Sequence, residues 1–239
     1  MGALPRRIVA GREVPTTAGA VHAALARHAD VSFEAFTAIQ REVDRRALAE
    51  SWGQGLELPT PVRFARLLER LEVPDPGGAI AGELTGAHMG MLVGLVRTPA
   101  HHLAVLDALR GRVRLGLCSN WSWTPAALAI LEATGLRERL DALAISHDVG
   151  VRKPRPEIFT AALDALGVSP AETLHVGDNL EADVAGAAAL GIRTVWLTRC
   201  VADPQAARAR TPAARPDWEI RDLEELEGIV ESAARSGPG

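Results

Sequence analysis

Beyond Pro99 the chain alternates short apolar runs with longer helical patterns, and this alternation constrains the fold more than anything else in the sequence. HHLAVLDALRG leads into VRLGLCS, TPAALAILEATG into LDALAIS, PEIFTAALDALG into ETLHVG, and LEADVAGAAALG into IRTVWL, while WEI precedes DLEELEGIVESAA. Two parallel strands need a crossover between them, and a helix of about ten to fifteen residues supplies one. The reading is an α/β fold, with a Rossmann-like parallel sheet as its core over 98–235 and helices on both faces. Gly111, Gly135, Gly167 and Gly191 follow helical segments, where positive φ ends a helix at low cost.

Ahead of Pro99 the pattern is helical, with no convincing strand from about residue 15 to 97. PTTAGAVHAALARHA, SFEAFTAIQREVDRRALAES opening on Ser32, TPVRFARLLERL opening on Thr60-Pro61, and GGAIAGELTGAHMGMLVGLV each read as a helix. An all-helical module over 15–97 is therefore expected, inserted after a short N-terminal piece of the core at 1–14. With 239 residues and 47% hydrophobic content the chain can bury a real core, and no apolar run approaches the length of a membrane span. The formal charge of -4 and the scatter of Lys and Arg argue against nucleic acid as a partner, and no membrane partner is expected. Cys118 and Cys200 lie far apart without C-x-x-C spacing, so neither a disulfide framework nor a zinc site is indicated. A reducing cytoplasm fits this usage, and MGALPRRIVAG has no apolar stretch of signal-peptide length.

In an open parallel sheet the ligand sits beyond the C-terminal strand ends, so the residues following each strand are the candidates. Ser119 and Asn120 follow VRLGLC, Lys153 stands in HDVGVRKPRPEIF after the next strand, and Asp178 and Asp183 follow TLHVG. Each has a structural alternative. Ser119 fits a turn or cap, Lys153 a solvated surface, and the two acids, Asp183 more than Asp178, the first turn of a helix. Lys153 precedes a helix start, where the macrodipole disfavours a cation unless an anion is shared with the helix N-terminus. Asp178 at a strand end is suited to a hard cation, since Mg²⁺ takes one or two carboxylates and keeps water or phosphate oxygens. His88, Met89 and Met91 read as packing, His101, His102 and His175 as packing or solvation, and Cys118 as a small strand residue. Trp121 and Trp123 fit either a pocket wall or packing.

Ser119-Asn120, Lys153-Pro154 within VGVRKPRPEIF, and GDNLEADVAGAAALGIRTVWL resemble, in order and spacing, three motifs of the haloacid dehalogenase superfamily of hydrolases. The resemblance spans about residues 99 to 226, and the helical region resembles that superfamily's inserted cap. It implies that Ser119 binds phosphoryl oxygens, Lys153 neutralises the nucleophile and the transferring group, Asp178 ligates Mg²⁺, and Asp183 supports the metal shell. It further implies a Mg²⁺-dependent phosphatase acting on a small phosphorylated metabolite. A metal-independent 2-haloacid dehalogenase and a non-catalytic anion-binding protein are the alternatives.

The chain departs from the family pattern in one respect. The family's nucleophile is an aspartate ending the first strand in a D-x-D or D-x-x-G-T motif, whereas the first aspartate here is Asp30, inside the helical region. Aligning Gly2-Ala3-Leu4 with the family's G-T-L puts the nucleophile two positions ahead of Met1. The expectation is that the chain begins at an internal methionine and lacks a central strand, whose gap residues 6 to 10, RRIVA, partly fill.

Overall fold

The structure is a computed structural model and describes residues 6–9, 12–15 and 17–235. In chain order its elements are β1 (Arg6–Val9), β2 (Arg12–Pro15), α1 (Thr17–Leu25), α2 (Phe33–Gln54), α3 (Thr60–Arg70), α4 (Ala79–Leu95), α5 (Ala100–Leu109), β3 (Gly116–Ser119), α6 (Thr124–Ala133), β4 (Ala142–Ile145), α7 (Ser146–Val149), α8 (Pro156–Leu166), β5 (Leu174–Gly177), α9 (Gly186–Ala188), β6 (Arg193–Leu197), α10 (Pro204–Arg210), β7 (Trp218–Ile220) and α11 (Leu226–Arg235). No single helix among the described residues is long and apolar enough to cross a membrane. The described residues divide into two compact units, one of them holding residues 97–120 and 131–235, the other residues 6–9, 12–15, 17–96 and 121–130.

The second unit is mostly helical. Its helices start where the sequence supplies start signals: the Ser32 hydroxyl accepts the Ala35 amide at the head of α2, and the Asp75 carboxylate accepts the Ile80 and Ala81 amides at the head of α4. Each such cap satisfies amides that have no partner within the helix and stabilises by about 1 kcal/mol. The apolar faces meet in a core of Val21, Leu25, Phe36, Phe64, Leu67, Leu68 and Leu84, all essentially fully buried. Segment 121–130, assigned to the α/β core in the sequence reading, groups with these helices instead. Its Ser122 accepts the Thr60 amide through its carbonyl and shares a hydroxyl hydrogen bond with Thr60, anchoring it to the head of α3.

The α/β unit is built of parallel strands. β3 pairs with β4, Gly116 facing Ala142, and β5 pairs with β6, which pairs with β7. β6 is covered on both faces, because successive side chains of a strand point to opposite sides. Val195 packs with Val105, Leu109, Ile220 and Leu226 of α5, β7 and α11, while Trp196 packs with Leu180, Val184 and Ala214. A separate cluster of Ala144, Ile158, Phe159, Leu163 and Ala187 seats α8 on β3 and β4.

Among the described residues no ladder joins β3 to β5. Burial follows this division. β4 and β6 carry fully buried residues, including Ile145, Val195 and Trp196, whereas no residue of β3 or β5 is fully buried. In an intact parallel sheet the inner strands are the most deeply covered, and here the two strands facing the division are the least covered. Of the RRIVA run expected partly to fill this place, Ala10 lies outside the described residues. Residues 6–9 pair antiparallel with 12–15 in a hairpin, Arg6 facing Pro15 and Val9 facing Arg12.

Three further elements differ from the sequence reading. LEADVAG, expected to open a regular helix, forms a wide π-type turn over Leu180–Ala185 before the short α9. The one-turn α7 and the α10 segment are too short or too polar to show a helical period. Met91 lies at the surface, whereas His88 and Met89 are buried as expected.

Candidate active site

The candidate residues belong to the α/β unit and sit where its strands end. Ser119 closes β3 and Asn120 follows it. The Asn120 side chain clamps the Lys153 backbone from both sides, its Oδ1 accepting the Lys153 amide at 2.7 Å and its Nδ2 donating to the Lys153 carbonyl at 3.1 Å. This fixes the lysine loop on the end of β3. The Lys153–Pro154 peptide is cis, and α8 starts two residues later with Pro156 in its first turn.

The Lys153 side chain turns inward. Its Nζ donates to the Cys118 carbonyl of β3 at 2.6 Å and pairs with Asp183 Oδ1 at 2.7 Å. Both side chains are largely buried, 11% exposed for Lys153 and 6% for Asp183. Asp183 is saturated with donors. Oδ1 also meets His175 Nε2 at 3.1 Å, and Oδ2 accepts the Asn179 amide at 3.0 Å. Burial by itself raises the Asp183 carboxyl, but the hydrogen bond from His175 and the charge of Lys153 outweigh it and hold the group well below the ordinary carboxylate range. A buried lysine therefore meets a partner held in its ionised form, the condition under which both charges remain in the interior.

This packing explains Gly177. A Cβ there would lie 2.2 Å from Asp183 Cγ, so only glycine lets the π-type turn fold its carboxylate under the end of β5. Gly186 makes a different close approach, since a Cβ there would stand 3.0 Å from Phe159 and from Pro154.

Asp178 stands just past β5, partly exposed. Its backbone carbonyl accepts the Trp196 indole N–H at 2.9 Å, and the Arg208 guanidinium lies over the same indole 4.7 Å from the ring centre. The Asn179 side chain accepts the Glu181 and Ala182 amides, capping the turn that carries Asp183. The residue types fit Mg²⁺ in their chemistry, because an aspartate, Asp178, stands at a strand end. Asp183 does not offer the same, its oxygens being occupied by Lys153, His175 and the Asn179 amide. The arrangement can thus present a buried ammonium whose position is fixed by the Cys118 carbonyl, by Asp183 and by the Asn120 clamp on its backbone. Burial pushes the Cys118 thiol up to about 11, which disfavours the thiolate and agrees with its reading as a strand residue.

Sequence reasoning singled out Asn120, Lys153 and Asp183, and these three are joined by direct contacts. Ser119 and Asp178 hold the strand-end positions expected of them. It missed His175 and Trp196. His175 was readable, because it lies two residues before Gly177 on one face of β5, the face under which Asp183 packs. Trp196 was not, because its link to Asp178 depends on the β5–β6 register, Gly177 facing Trp196.

Comparison with known proteins fixes the family. Residues 16–191 match the model of the haloacid dehalogenase-like hydrolases. The chain is a haloacid dehalogenase-like hydrolase. It is 32% identical over 169 residues to pyrimidine 5'-nucleotidase YjjG of Escherichia coli, covering 70% of this chain and 69% of that protein. It is 30% identical over 206 residues to ribulose-1,5-bisphosphate 5-phosphatase of Halopiger xanaduensis, covering 84% of each. Among solved structures, the HAD-hydrolase YfnB from Bacillus subtilis bound to magnesium superposes with a TM-score of 0.59 at 21% identity, covering 90% of each chain, a likeness of fold.

Proposed function

We propose that this haloacid dehalogenase-like hydrolase is built as a Mg²⁺-dependent phosphatase for a small phosphorylated metabolite, acting in the cytoplasm, with its helical unit serving as the cap. The observation that carries the reading is the buried Lys153–Asp183 pair, held to the end of β3 through the Cys118 carbonyl and the Asn120 side chain. Phosphoryl transfer is mainly positioning and charge stabilisation around the equatorial oxygens. Ser119 binds those oxygens, and Lys153 offsets their charge, oriented by Asn120, the Cys118 carbonyl and Asp183. Asp178 is the carboxylate that holds Mg²⁺, with Asp183 behind it. When bound, the cation would neutralise phosphate charge that the protein alone leaves uncompensated. The nucleotidase and the ribulose-1,5-bisphosphate phosphatase named above act, by their names, on small phosphorylated molecules, in keeping with this substrate class.

The family's covalent route needs an aspartate whose oxygen forms a bond to phosphorus as the ester oxygen leaves, and no aspartate precedes Asp30 in this sequence. The second reading is a non-catalytic protein that binds an anion through Ser119, Lys153 and the neighbouring backbone. One assay separates the two. Hydrolysis of p-nitrophenyl phosphate is measured with and without Mg²⁺ on the chain as it stands and on the chain preceded by an apolar strand ending in Asp-x before Met1-Gly2. Turnover by the extended form alone, abolished by Asp178→Asn, is the expected result. Phosphate binding with no turnover by either form establishes the second reading.

A further inference from the structure

The α/β unit carries another cluster of metal-ligating side chains, away from the crevice. His101 and His102, in the first turn of α5, both direct Nε2 to a single carboxylate oxygen, Asp222 Oδ1, at 3.1 and 3.0 Å. Their rings stand edge to face with centroids 4.3 Å apart, and the three ligand atoms all lie within 4.8 Å of one another. Asp222 follows β7, two strands out from β5 in the ladder, and also caps the turn Leu223–Glu225. Its other oxygen, Oδ2, pairs with Arg199, which follows β6. The side chains are 37%, 13% and 19% exposed for His101, His102 and Asp222, so the cluster is open to solvent on the His101 side and closed behind.

We propose that His101, His102 and Asp222 form a binding site for one divalent transition-metal ion of the Zn²⁺ type, separate from the Mg²⁺ site at Asp178. Three observations carry this. The first is spacing. Ligand atoms about 2.1 Å from a metal stand about 3.0 Å apart when cis at a right angle and about 3.4 Å apart in a tetrahedron. The two Nε2-to-Oδ1 separations already match the former, so an ion enters with small shifts of side chains that are held in place. The second is donor type. Two imidazoles with one carboxylate select zinc, nickel or copper over magnesium, which prefers oxygen donors and keeps its water. The third is the surrounding support. Ligating carboxylates are held by further hydrogen bonds, and Arg199 supplies one on the oxygen that the histidines leave. Arg199 is itself 43% exposed, so solvent screens its repulsion of a cation.

The proton inventory is simple. Ligation through Nε2 requires each ring to carry its single proton on Nδ1, which leaves the Nε2 lone pair for the ion. Asp222 itself is ionised. Burial works against its charge, but the hydrogen bonds from His101, the Glu224 amide and His102 hold its carboxyl down at about 2.

The test is calorimetric titration of the untagged full chain, stripped with chelator, with ZnCl₂ in excess MgCl₂. One Zn²⁺ per chain is expected, with affinity falling roughly tenfold to a hundredfold in His101→Gln and in Asp222→Asn. His101 is the most exposed of the three, so His101→Gln keeps the fold, and unchanged circular dichroism and Tm verify this. Cys200→Ser, which removes an exposed thiol, is expected to bind as the parent does. Absence of binding by the parent overturns the proposal and leaves a hydrogen-bonded cap. Binding that survives both His101→Gln and Asp222→Asn overturns it equally, by placing the ion elsewhere.

Discussion

Asp183 shows how a single side chain organises this site. It accepts from a lysine, a histidine and a backbone amide at once, and it forces glycine at position 177. Asp183→Asn leaves the Lys153 ammonium buried without an anion, a loss of about 3 kcal/mol or more, measurable by urea unfolding at neutral pH. The acid limb of stability carries the same information. Because the folded-state carboxyl is depressed, its contribution is complete above the ordinary value of 3.8 and is lost as pH falls below it, where the unfolded chain takes up the proton first. In Asp183→Asn that limb is expected to flatten, and an unchanged acid limb would show that Asp183 carries none of it. At this scale the sequence was readable wherever a residue's role followed from its place after a strand, as for Asn120, Lys153 and Asp183. It was unreadable where the role depended on a partner brought in by tertiary register, as for Trp196, or by a distant turn, as for Asp222 with His101 and His102.

The elements divide in the same manner. α2, α3 and α8 begin where Ser32, Thr60-Pro61 and Pro156 announce them, since capping and proline geometry are local. The π-type turn at Leu180–Ala185 could not be announced so, because its shape answers to the packing of Asp183 beneath Gly177. Within the helical unit, α3 and α4 share a buried polar contact, Arg63 against His88 at 3.5 Å. Burial, reinforced by the Arg63 charge, pushes His88 down to about 4. The unfolded chain therefore protonates this histidine first as pH falls from 6.5, and the unit loses up to about 3 kcal/mol between there and pH 4. Asp44, which faces Arg63 and whose carboxyl burial raises, acts in the opposite sense nearer the carboxylate range. Thermal melts across that interval are expected to fall for the parent chain and to stay level for His88→Gln. Equal slopes in both would remove His88 as the cause.

In the whole α/β unit, the feature with the widest reach is the division of its strands into β3–β4 and β5–β6–β7. Hydrogen exchange is expected to report it directly, with β6 amides the slowest and those of β3 and β5 markedly faster, although all three are strands of one core. Equal protection in β3 and β6 would contradict this. The alternation of strands and helices made the parallel architecture legible, while the pairing of residues 6–9 was not, because a four-residue run with only Ile8 and Val9 apolar carries too little pattern to name its partner. The same division has a kinetic consequence. Every parallel pair in the unit joins strands that are successive along the chain, Gly116 with Ala142, Leu174 with Arg193, and Val195 with Trp218, so each ladder closes over a short sequence separation. Folding speed falls as contacts become more distant in sequence. The slow, long-range pairing that usually completes a doubly wound sheet is absent from the described strands, and between β3 and the segment after β5 the lysine that bridges Cys118 and Asp183 stands in its place.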